Sequence, residues 1–86
     1  MKEEKINNFV RIGSKSKNTY LSSALFCLDK EGTVVLEGLG RRRPKTLDIA
    51  DKLEEISNVE VGSPSVIDVE GTSGLRIKVE KEVRPP

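Results

Sequence analysis

The stretch Gly38-Leu39-Gly40-Arg41-Arg42-Arg43-Pro44-Lys45 decides how this chain is read. Thr33-Val34-Val35-Leu36-Glu37 precedes it, rich in β-branched residues, which predicts a strand continuing to Leu39. From Pro44 to Ser57, Leu47, Ala50, Leu53 and Ile56 form one stripe with Ile49 adjoining it, which predicts a helix. Between the two, glycines free the backbone to turn, and Pro44 suits the first turn of a helix. Four cations fall within five residues. A helix start carries partial positive charge, so cations in its first turn are misplaced by ~0.3–1 kcal/mol each at low salt. An anion held by the arginines and by the free N–H groups of the helix start would offset that cost. The alternative is a set of solvated surface cations with no ligand.

Working outward, Phe9-Val10-Arg11-Ile12 predicts a short strand. Gly13-Ser14-Lys15-Ser16 is turn material, and Ser14, Ser16 or Asn18 suits a helix cap. From Lys17 to Lys30, Tyr20, Leu21, Ala24, Leu25, Cys27 and Leu28 recur at helical spacing, and Gly32 supplies a stop. This helix repeats the inversion of the other. Lys15 and Lys17 stand at its start, Asp29 and Glu31 at its end. Two inverted helices favour an anion-binding edge over solvated charge.

Beyond Asn58, Val59, Val61, Val66, Ile67 and Val69 predict a third strand, interrupted at Gly62-Ser63-Pro64 by a bulge or running along an edge. Glu70-Gly71-Thr72-Ser73-Gly74 predicts a hairpin loop. Leu75 to Glu80 alternates apolar and charged residues and predicts a half-exposed final strand. The order β-α-β-α-β-β predicts a two-layer α/β sandwich, with a four-stranded mixed sheet and two helices on one face. One domain over residues 9–83 is expected, with a flexible tail at 1–8 and a short tail at 84–86.

The net charge of +1 would argue against a polyanionic partner, but the charges are segregated. Residues 5–28 and 38–47 together hold eight cations and no acid, leaving seven cations and all fourteen acids for the rest. A local basic face matters more to nucleic-acid binding than the sum. Several chemistries are disfavoured. No histidine is present, which removes the usual general base and the commonest metal ligand. The lone Cys27 precludes an internal disulfide, lacks a histidine partner, and reads as a buried inert thiol suited to a reducing cytosol. Gly38-Leu39-Gly40 begins a dinucleotide fingerprint that fails at Arg43, and Lys45-Thr46 follows Pro44 rather than the glycine of a phosphate-binding loop. Glu54-Glu55 reads as a solvated helix face. The sequence therefore points away from an enzyme, a cofactor, a metal or a small-molecule substrate. Met1-Lys2-Glu3-Glu4-Lys5 has no apolar core behind it, which argues against a signal peptide, and no apolar run approaches membrane-spanning length. The chain holds three aromatics, Phe9, Tyr20 and Phe26. With two of them expected in the core, base stacking is a poor alternative to phosphate binding.

In this arrangement the chain resembles the Alba family of small archaeal chromatin proteins over residues 9–80. Val10-Arg11-Ile12-Gly13-Ser14-Lys15 with Asn18-Thr19-Tyr20 is similar to the family's first strand and turn, which end in Ile-Gly, two lysines and an Asn-Tyr pair. Gly40-Arg41 with Lys45 and Asp48 resembles its Gly-Arg, Lys, Asp spacing, and Val61-Gly62-Ser63 its third-strand Val-Gly-Ser. The resemblance implies a homodimer in the cytoplasm, associated with the chromosome, that binds double-stranded DNA and often RNA with little sequence preference. It implies contacts from Lys15 and Arg41, with Lys45 supporting the same face. Arg11, Ser14, Lys17, Arg42 and Arg43 complete the candidate nucleic-acid-binding set. Ser14 stands where the family carries an acetylatable lysine, so that control is in doubt and Lys17 is the candidate replacement charge. Leu39 replaces a residue that is often basic. The hairpin tip, Asp68 to Gly74, is short and acidic where the family's is usually basic, which weakens the expected minor-groove contact. RNA binding within a ribonucleoprotein, or a protein-interaction module without nucleic acid, are the alternatives.

Overall fold

The computed structural model describes residues 8–82. The remainder of both predicted tails, and the predicted domain's last residue, 83, lie outside the described residues. The elements in order are β1 (Phe9–Ile12), α1 (Lys17–Glu31), β2 (Thr33–Leu39), a 3-10 turn (Gly40–Arg42), α2 (Arg43–Ile56), β3 (Val59–Val61), β4 (Ser65–Val69) and β5 (Thr72–Lys81). β1 runs parallel to β2, and β5 lies antiparallel beside β2, so the sheet is mixed. β3 and β4 both pair with β5 on its far side, leaving β1 at the opposite edge.

The expected third strand is thus two strands along one edge. Val61 faces Val79 and Ser65 faces Arg76, so three residues on one side span two on the other. That extra residue makes a bulge at Gly62-Ser63-Pro64, where proline has no N–H to lose from the ladder. The hairpin loop is shorter than expected. Val69 pairs with Thr72, leaving Glu70 and Gly71 as the turn, both at positive φ. Thr72, Ser73 and Gly74 belong to β5.

Both helices pack on one face of the sheet. Val10, Ile12, Val34, Leu36, Ile77 and Val79 meet Leu21, Ala24, Leu28, Ile49 and Leu53 in a single core, with Cys27 buried among them. Burial and nearby Glu31 push the Cys27 thiol above its ordinary pKa. Ser16 caps α1 by accepting from the Thr19 N–H at 3.3 Å, and Gly32 ends it in the left-handed region. The buried stripe of α2 is Thr46, Ile49, Ala50 and Leu53, whereas Leu47 and Ile56, read as part of it, are exposed. The stripe is centred one position away because the helix starts hard against β2. A Cβ at Gly38 would lie 1.9 Å from Thr46 Oγ1 and 2.8 Å from the Arg42 carbonyl oxygen. Only glycine allows that approach, and it sets the rotation of α2.

Candidate nucleic-acid interface

Because β1 and β2 are parallel neighbours, the turns that follow them emerge on the same edge. Side chains lock the two turns together. Arg42 Nη1 donates to the Gly13 carbonyl at 3.3 Å, and Lys45 Nζ donates to the same oxygen at 2.9 Å. Lys45 also donates to the Lys15 carbonyl. From beneath, the Tyr20 hydroxyl accepts from the Gly13 N–H at 2.8 Å and the Lys15 N–H at 3.1 Å, and Lys45 Nζ stands 5.3 Å from its ring centre. Desolvation pushes the Tyr20 pKa up. The N–H groups of Lys15 and Gly13 and the charges of Lys45 and Lys15 outweigh it together, so the net shift is downward.

The eight sequence-predicted residues divide by what already holds them. Arg42 and Lys45 are half-buried and bind the first turn, and Arg43 Nε donates to the Gly40 carbonyl at 2.8 Å. Lys17 pairs with Asp48 of α2 at 3.0 Å, an exposed pair worth ~0.2–1 kcal/mol. Arg11 pairs across strands with Glu37 at 3.3 Å, on the sheet face away from the helices. Lys15 and Arg41 remain. Both are exposed, and neither side chain makes a hydrogen bond or ion pair with a described residue. Ser14 is exposed on the first turn.

Sequence reasoning missed Arg76. It pairs with the other oxygen of Glu37 at 3.3 Å and lies 5.8 Å from the Phe9 ring centre. Glu37 is fully buried between the two guanidiniums. The available signal was an acid inside an apolar strand, which demands cationic partners once buried. The hairpin sits close to the basic edge. A Cβ at Gly40 would be 3.6 Å from Thr72, two residues beyond acidic Glu70.

The crystal structure of ALBA1 from Trypanosoma brucei matches this chain with a TM-score of 0.83 at 20% identity, over 90% of this chain and 72% of its own. Alba from Thermoplasma volcanium matches with a TM-score of 0.64 at 13% identity, over 86% of this chain and 100% of its own. The fold is that of the Alba proteins. No protein-family model matches the sequence, and no match is found among curated proteins. Of the two locked turns, the one that follows β2 approaches the β4–β5 hairpin, through Gly40 and Thr72. Among the described residues, no helix is long and apolar enough to cross a membrane, and no group of three or more His, Cys, Asp or Glu is placed to hold a metal.

Proposed function

We propose that this protein binds nucleic acid through its phosphate backbone, without sequence preference, and that its ligand is double-stranded DNA, which it compacts at the chromosome in the cytoplasm. One observation carries the reading. Lys15 and Arg41 are exposed, have no partner among the described residues, and stand on turns fixed to each other through Lys45, Arg42 and Tyr20. Preorganised cations on one edge neutralise phosphates and release counterions without first breaking internal pairs. Lys15 and Arg41 are the primary contacts. Lys17, Arg43 and the Ser14 hydroxyl flank them, while Arg42 and Lys45 position them. Arg11 is engaged with Glu37. The role is binding, with no catalysis, cofactor or small-molecule substrate.

A second reading is structured RNA. The hairpin from Ser65 to Gly74 carries no cation, and Asp68 and Glu70 oppose an arm laid along a phosphate-lined minor groove. An A-form helix is read by shape and 2′-hydroxyl contacts, which the turns alone could make. Competition between duplex DNA and structured RNA of equal length, at two salt concentrations, tests both readings. Each phosphate contact should contribute about 0.9 to the log–log salt slope on duplex DNA. Tight binding that ignores salt, or that survives Lys15→Ala combined with Arg41→Ala, would refute the phosphate reading.

The functional unit in this reading is a homodimer. Ile56, at the end of α2, is 53% exposed, and Val66 on edge strand β4 is 78% exposed. An isologous pair covering such residues would add the core that a small chain lacks. Sedimentation at micromolar concentration should give twice the chain mass.

A further inference from the structure

Phe26 is the most exposed of the three aromatics at 64%, Phe9 is half-buried, and Tyr20 alone belongs to the core. The premise that two aromatics are consumed by the core, and that stacking is therefore weak, does not hold. Phe9, Tyr20 and Phe26 line one open cleft of about 530 Å³ between α1 and β1, with Arg11, Lys15 and Ser23. β1 has a single strand neighbour, so the cleft borders a free sheet edge among the described residues.

No carboxylate lines this cleft. Three other clefts of the molecule each carry acids: Asp29 and Glu82 in one, Asp48 and Glu55 in another, Glu60 and Glu80 in the third. Aromatic rings, the Lys15 cation and no lining acid suit a planar, apolar-faced group attached to an anion, with Arg11 already paired to Glu37. Outside the lining residues, Lys30 Nζ lies over the Phe26 ring, 5.5 Å from its centre. Lys15 belongs both to the cleft and to the phosphate-binding turn, so the two surfaces are continuous.

We infer that the β1–α1 cleft is a subsite for an unpaired nucleobase of a single-stranded segment adjoining the phosphate face, with Phe26 as the stacking platform. The inference rests on the phosphate-binding reading. Stacking on an aromatic is tolerant of base identity because every base has a π-face. The subsite therefore keeps the lack of sequence preference and adds a preference for duplex ends, gaps and loops. An extended peptide added to the β1 edge fits less well, because its backbone offers no anion to Lys15.

The test is a fluorescence titration with a blunt duplex and with the same duplex carrying a short single-stranded overhang that holds 2-aminopurine, in DNA and in RNA forms. The overhang should tighten binding about fivefold or more and quench the probe, the low end of what stacking one base contributes. Phe26→Ala should abolish both effects, leave blunt-duplex affinity within about twofold, and keep the unfolding midpoint, since the ring is outside the core. Phe26→Trp should restore both. Equal binding of blunt and overhang forms without quenching overturns the subsite and leaves the phosphate reading standing. Failure of both forms to bind overturns the phosphate reading and the subsite with it. An overhang effect that survives Phe26→Ala, or protection of β1 amides from exchange by a random peptide but not by the overhang, also overturns the subsite.

Discussion

Lys45 Nζ donates to the Gly13 carbonyl oxygen at 2.9 Å across 32 residues of chain. The bond ties the start of α2 to the turn after β1. A cation that looks like a phosphate ligand in sequence is a brace in the structure. Replacing it by Met keeps the aliphatic stem over Tyr20 and removes the donors. Lys45→Met should destabilise the fold by about 1.5–3 kcal/mol, the range for hydrogen bonds to charged groups, as read by urea denaturation. DNA affinity should fall as well, because the turn carrying Lys15 is no longer held. Lys15→Ala should weaken DNA binding with little change in stability, and that contrast separates the brace from the contact.

The Tyr20 hydroxyl reports the same lock. It is the only tyrosine and there is no tryptophan, so phenolate absorbance follows it cleanly. Two backbone N–H donors and the charges of Lys45 and Lys15 hold its pKa below the ordinary value despite desolvation. A lowered folded pKa means the unfolded chain retains the proton longer. This group's contribution to stability therefore grows as pH rises through the folded pKa, is complete above the unfolded pKa near 10, and is lost as pH falls back through the folded pKa. An alkaline titration should show a midpoint lower in buffer than in denaturant. Lys45→Met should move the folded midpoint upward, and equal midpoints in buffer and denaturant would contradict the lock.

Gly38→Ala tests what rotates α2. The added Cβ would sit 1.9 Å from Thr46 Oγ1 and 2.8 Å from the Arg42 carbonyl oxygen. Backbone must move, so the cost should be about 3 kcal/mol or more, at the top of the overpacking range. Adding Thr46→Ala removes the first clash and not the second. The double variant should recover part of the loss by thermal unfolding, and full recovery would show that the backbone contact is unimportant.

Much of this architecture was legible locally. The bounds of β1 and β2 and the Gly32 stop follow from short-range chemistry and are found where expected, and of the three candidate caps, Ser14, Ser16 and Asn18, it is Ser16 that caps α1. The bulge was readable from Pro64, though not its count of residues. What the sequence hid depends on distant partners. Arg76 looks like the exposed half of an alternating strand, and its bond to Glu37 spans 39 residues. Arg42, Arg43 and Lys45 read alike in the cation run, and only the close approach of two turns decides which are engaged. Leu47 and Leu25 carry the right helical spacing for burial, yet both are exposed. The basic edge was legible because charge segregation is a property of sequence. Its division into braces and free cations was not.

Glu37→Gln probes the buried triad. Removing the charge leaves Arg11 and Arg76 facing a neutral amide. Breaking a buried pair costs about 3–5 kcal/mol. Both guanidiniums here are about half exposed and can rehydrate, so about 2–3 kcal/mol is expected by urea denaturation. A change within about 0.5 kcal/mol, the usual size for a plain surface substitution, would mean that the triad contributes little.

At Glu70 a strained turn conformation and a negative charge near the proposed binding edge meet in one residue. Its φ is 48°, followed by 84° at Gly71, the pattern of a two-residue hairpin turn with positive φ at both central positions. Asn-Gly is the preferred pair for that turn, and glutamate is a poor first residue in it. Glu70→Asn should therefore stabilise the protein by about 0.5–1 kcal/mol, part of the left-handed penalty for an ordinary side chain. It also removes a negative charge beside the basic edge, since Thr72 packs near Gly40. Glu70→Lys keeps the poor turn residue and reverses the charge. The two variants thus separate the effects: Asn should raise the unfolding midpoint more, and Lys should raise DNA affinity more. At low salt the Lys variant should bind duplex DNA several-fold tighter, with the gain shrinking as added salt screens the site. The same charge reversal at Glu55, near the opposite end of α2, should change affinity much less. If Glu55→Lys matched Glu70→Lys, the gain would reflect net charge rather than the position of the hairpin tip.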